Sequence, residues 1–128
     1  MEASAEGWDR GPCNGWFSTP LVGDRNVEEQ VRALIGCAER VWPVNVGLSG
    51  VLAVASRESG LWPWAENGGS GACGIFQSMP VLWPGRAASL PAGWFPEYMK
   101  PLSCFNARAN VLWAVRSMSM YGMGPWGG

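Results

Sequence analysis

The sequence predicts a mainly α-helical fold in which amphipathic helices form the core and one long irregular region carries the site. Apolar residues recur at helical spacing in three segments, residues 26–42, 48–59 and 106–120. Between residues 61 and 104 that spacing fails, and glycine, tryptophan and the prolines at 63, 80, 84, 91, 96 and 101 crowd the chain. An irregular stretch of this length inside a small domain usually serves function, and it leaves room for at most a short β-hairpin. At 128 residues the chain fits a single domain, 1–128, with a modest core.

Residues 1–25 are interrupted by glycine and proline and read as an irregular segment. The first helix is "NVEEQVRALIGCAERVW", with Asn26 as its cap, Glu29 as the capping-box partner and Pro43 as its stop. Val27, Val31, Leu34, Ile35, Ala38, Val41 and Trp42 line one face. The second helix runs from Leu48 to about Ser59 and stops at Gly60, a residue suited to a left-handed cap. A short helix is expected near residues 76–83. Asn106 caps the last helix, whose core stripe is Val111, Leu112, Val115 and Met118, and the tail "YGMGPWGG" follows. No internal repeat or linker divides the chain.

Composition narrows the chemistry. The hydrophobic fraction of 48% and charged fraction of 15% describe a globular chain. A net charge of −1 and nine scattered Lys and Arg residues leave no nucleic-acid footprint. No apolar segment is long enough to span a membrane. Histidine is absent, which removes Ser-His and Cys-His nucleophilic pairs and imidazole metal sites. Acid–base work then falls to carboxylates, Tyr or Lys, and no metal or cofactor is expected. Cys13, Cys37, Cys73 and Cys104 contain no CxxC spacing. They read as two disulfides with three pairings open, against the alternative of four buried thiols. The opening "MEASAEGWDR" has neither the basic nor the apolar region of a secretory signal. An extracellular, periplasmic or virion-associated protein would therefore be delivered without a recognisable signal in this chain.

One charge sits on the wrong side of its helix. Glu58 shares a face with Val51, Val54 and Ala55 in "VLAVASRESG". A carboxylate that is desolvated, and placed at the C-terminal end of a helix dipole, is favoured in its protonated form. That is the form a general acid needs. The plainer reading is an ion pair between Glu58 and Arg57 or Arg108.

The residues that follow change the balance. "RESGLWPWAENGGSGACGIFQ" resembles the first two motifs of the lysozyme-like lytic transglycosylase (SLT) family. The matching positions are Glu58-Ser59-Gly60, Pro63-Trp64-Ala65 and Gly74-Ile75-Phe76-Gln77. "NARANVLWAVRSMSMYGMGPW" is similar to the C-terminal helix of related bacterial and phage muralytic domains. The resemblance spans roughly residues 45–126 and implies a lysozyme-like α+β fold of the goose-type group. It implies Glu58 as the catalytic acid/base acting on the bond between N-acetylmuramic acid and N-acetylglucosamine in peptidoglycan. Ser59 would support that carboxylate or the substrate's acetamido group, and Gly74, Ile75 and Gln77 would line the cleft. The family's Ala-Tyr-Asn motif is not evident here, and Tyr121, Pro125 and Trp126 would take that side of the cleft instead.

A second carboxylate would mark an ordinary two-acid glycosidase. Glu66 and Glu97 are the candidates, and both read better as solvated surface charges. Single-acid chemistry remains, with an anhydro-forming transglycosylase and a water-using lysozyme both open. Indole faces stack on sugars. Trp62, Trp64, Trp83, Trp94 and Trp126 are candidates for that contact, while Trp42 and Trp113 read as core. In this frame a Cys73–Cys104 bond would brace the active-site loop against the last helix, and Cys13–Cys37 would tie down the N-terminal segment. The expected protein is a monomer whose partner is the peptidoglycan glycan strand. The alternative from another class is a non-catalytic glycan-binding or virion-associated module on the same fold.

Overall fold

The computed structural model describes residues 11–14 and 27–126. It is mainly helical: α1 (Val27–Val41), α2 (Gly47–Ser59), α3 (Trp83–Ala88) and α4 (Ala107–Tyr121), with 3-10 turns at Ala92–Trp94, Glu97–Met99 and Gly124–Trp126. Among the described residues there is no strand, only the isolated antiparallel bridges Glu66–Cys73 and Cys73–Ser78. None of the described helices is long and apolar enough to cross a membrane.

α1 carries Glu28 and Glu29 in its first turn and Arg40 in its last, each complementing the helix dipole. Val27, Val31, Leu34, Ile35 and Ala38 are buried as their spacing predicts. Val41 is exposed instead, and Trp42 is only half-buried against Trp94, because α1 ends here and Pro43 leads the chain away. The expected cap at Asn26 lies outside the described residues, as does most of segment 1–25. α2 begins one residue earlier than its apolar pattern indicates and ends on Gly60, whose φ of 65° is left-handed and whose N–H donates to the Ser56 carbonyl.

The helix expected near 76–83 is displaced. Residues 73–78 form a tight turn closed by reciprocal backbone bonds between Cys73 and Ser78, with Gln77 at φ 53°. A left-handed residue followed by Pro80 cannot begin a helix there, so α3 starts at Trp83 with Pro84 in its first turn. α4 packs on α1 and α3, and α1 packs on α2. Asn106 caps α4, its side-chain oxygen accepting the Ala109 N–H at 2.9 Å. Val111, Leu112, Val115 and Met118 are buried, together with the polar Arg108 and Asn110.

Two disulfides join Cys13 to Cys37 and Cys73 to Cys104. The first holds residues 11–14 against α1. Arg108 reinforces it by donating to the Pro12 carbonyl and by lying 4.7 Å over the Phe95 ring.

Candidate active site

Glu58 occupies the last turn of α2, below the buried Val51, Val54 and Ala55, with its side chain 28% exposed. Arg57 lies beside it. Its guanidinium stands 3.7 Å from the Glu58 carboxylate and also donates to the Trp126 carbonyl. The ion-pair alternative is thus present with Arg57, while Arg108 donates to the backbone carbonyls of Pro12 and Trp94. A pair this exposed on the arginine side contributes about 0–1 kcal/mol. Ser59 donates its hydroxyl to the Ala55 carbonyl of its own helix at 3.1 Å, leaving its oxygen free to accept.

After Gly60 a second left-handed residue, Leu61, turns the chain while burying its side chain. Trp62 and Trp64 then meet edge to face at 5.0 Å, with Trp62 exposed and Trp64 half-buried. The Ala65 carbonyl ties this segment to the Gly74–Gln77 turn, accepting from the Gly74 N–H at 2.9 Å and from the Gln77 side-chain amide at 3.2 Å. Gln77 also donates to the Gly74 carbonyl at 2.9 Å.

That turn is held from four sides. The Asn110 side chain, buried in α4, accepts from the Phe76 N–H at 2.8 Å and donates to the Cys104 carbonyl at 3.0 Å. Trp126 donates its indole N–H to the Phe76 carbonyl at 3.2 Å and packs between Phe76 and Trp113. Arg86 donates to the Ser78 hydroxyl at 2.8 Å while its guanidinium lies 4.0 Å over the Trp113 ring, and burial holds its pKa below the ordinary arginine value. The Cys73–Cys104 bridge is the fourth restraint.

The sequence-predicted site residues therefore divide. Glu58 reaches the turn through a chain of contacts, Arg57 to the Trp126 carbonyl and the Trp126 indole to Phe76. Gly74 and Gln77 meet at the carbonyl of Ala65, the residue that follows Trp64. Three of the predicted residues are packed inside the fold. Ile75 is fully buried and offers no side-chain surface to a ligand. Trp126 is 6% exposed and acts as a core clamp. Gly74, at φ 88°, turns its open side toward α4, where the Asn110 amide and the Cys104 carbonyl fill the space a Cβ would need. The glycine permits close packing there.

Tyr121 stands apart, 79% exposed, in a separate hollow with Trp113. Trp83 and Trp94 are likewise structural, Trp83 donating its indole N–H to the Leu102 carbonyl and Trp94 resting on Trp42. Glu66 is exposed, and Glu97 is 89% exposed and paired with Lys100 at 2.9 Å. An apolar cavity of about 480 Å³ lies under α3, between Trp83, Leu90, Phe95 and Leu102, and is lined by neither Glu58 nor the Gly74–Gln77 turn.

Asn110 and Arg86 were not singled out by the sequence. Asn110 had a signal, since it is a polar residue three and four places from the buried Ala107 and Ala114 on one helix. Arg86 had none, because its partners are brought to it only by the fold. The chain matches no family model, no curated protein and no solved structure.

Proposed function

We propose that the chain cleaves the β-1,4 bond between N-acetylmuramic acid and N-acetylglucosamine in peptidoglycan, as a muramidase or lytic transglycosylase. Glu58 is its general acid/base. The observation that supports this most is the placement of Glu58, a partly desolvated carboxyl group paired with Arg57, which bonds the carbonyl of Trp126, a residue that clamps a turn also restrained by Asn110, Arg86 and a disulfide. Acid catalysis gains from a group whose surroundings are fixed before substrate arrives.

In this mechanism Glu58 gives its proton to the glycosidic oxygen as the bond to the muramic C1 breaks. The carboxylate then takes a proton from the nucleophile that closes on C1. Water as nucleophile leaves a reducing end, and the sugar's own 6-hydroxyl leaves an anhydro end. Trp62, whose backbone N–H donates to the Ser59 carbonyl just past the acid, and Trp64 offer indole surface for a sugar face. Work outside the cytoplasm or in a virion agrees with two disulfides.

A non-catalytic glycan-binding or virion-associated module is the second reading. The contact between Arg57 and Glu58 favours it, because a neutralised carboxylate serves structure without chemistry. Mass spectrometry of material released from purified cell walls tests the proposal. Glycan fragments with reducing or anhydro muramic ends are expected, and walls whose glycan strands remain uncut would leave the binding module standing.

A further inference from the structure

The hollow beside Tyr121 is built differently from the Glu58 region. About 220 Å³ in volume, it is lined by Ser89, Leu90, Trp113, Arg116, Ser117, Met120 and Tyr121. No carboxylate lines it. Arg116 is half-buried and has no hydrogen-bond or ion-pair partner among the described residues, whereas Arg57 and Arg86 are each engaged. The Ser117 hydroxyl is likewise unengaged, and Ser89 donates to the Arg86 carbonyl, leaving its oxygen as an acceptor. Trp113 is covered by the Arg86 guanidinium and packs against Trp126, so it is a fixed wall, while Tyr121 is the exposed one.

An unpaired guanidinium in a partly dry hollow is matched by an oxyanion that it can hold with two parallel hydrogen bonds. Aromatic walls favour a ring that presents an apolar C–H face. The volume is below the roughly 300–1,000 Å³ of pockets that enclose drug-sized ligands, so it suits one ring and not an extended strand. From these features we infer that the hollow binds a carboxylate-bearing sugar, its acid on Arg116 and its ring against Trp113 and Tyr121. Two sources share that chemistry, a sugar carrying a lactyl ether and a uronic acid. The inference goes beyond the proposed cleavage and does not depend on Glu58.

Nuclear magnetic resonance titration of isotopically labelled protein separates the cases. The probes are N-acetylmuramic acid against N-acetylglucosamine, glucuronate against glucose, and inorganic phosphate. At least one acid should bind about tenfold or more tightly than its neutral parent, as expected for a charge-assisted contact. Its shifts should fall on the Trp113 indole, Ser117 and Tyr121. Arg116→Gln should abolish that preference while its spectrum elsewhere stays native, and Glu58→Gln should preserve it. The source is identified by which acid responds. The inference is overturned if neither acid exceeds its parent, if phosphate shifts the same residues as strongly as either acid, or if Arg116→Gln binds like the wild type.

Discussion

Gly60 and Gly74 share a left-handed backbone, with φ of 65° and 88°, and have opposite surroundings. A Cβ at Gly60 meets open space, so Gly60→Ala should cost only the conformational penalty, about 1–2 kcal/mol. A Cβ at Gly74 meets the Asn110 amide and the Cys104 carbonyl. Gly74→Ala should add overpacking of about 1–3 kcal/mol to that penalty. Urea denaturation of both variants checks the difference, and equal losses would contradict the packing described. The position of Glu58 was legible from its spacing with Val54 and Ala55. The role of Arg57 was not, since the carbonyl that turns it lies 69 residues away in Trp126. The same holds for Asn110, which reaches Phe76 across 34 residues. A residue's own face is local information, and its partner across the core is not.

Helices and their ends were the most legible elements. Asn106 carries its cap bond inside three residues, and Gly60 its left-handed stop inside four. Removing the first, by Asn106→Ala, should destabilise the protein by about 0.5–2 kcal/mol, seen as a lowered thermal midpoint. An unchanged midpoint would mean that packing alone holds the start of α4. The helix expected near 76–83 failed for a reason that periodicity does not carry. Gln77 adopts a left-handed conformation because its side chain bonds the Ala65 and Gly74 carbonyls, and the helix is pushed to Trp83. The packing of Trp126 was not legible for a related reason. A tryptophan in a glycine-rich tail has no pattern around it, and only the closed fold places it between Phe76 and Trp113.

Over the whole molecule, the two disulfides join residues 24 and 31 positions apart. In the chain-entropy picture each contributes about 3–4 kcal/mol. The two bridges differ in what they hold. Cys73–Cys104 braces the Gly74–Gln77 turn, and Cys13–Cys37 holds residues 11–14 on α1. Replacing Cys73 and Cys104 by serine should therefore lower wall-cleaving activity at temperatures where the protein remains folded. Replacing Cys13 and Cys37 should lower stability with activity per folded molecule retained, as read from circular dichroism and wall turnover together. Equal effects of both replacements on activity would remove the special role of the turn.

The claim that a single carboxyl group does the chemistry meets its most direct test in the clearing of purified cell walls by wild type and Glu58→Gln. The substitution keeps the side chain's shape and removes one partly exposed ion pair, so the unfolding free energy should fall by no more than about 1 kcal/mol. The wild type should lower wall turbidity, and Glu58→Gln should leave it near the level without protein while remaining folded. A folded Glu58→Gln protein that clears walls as fast as the wild type would contradict the account.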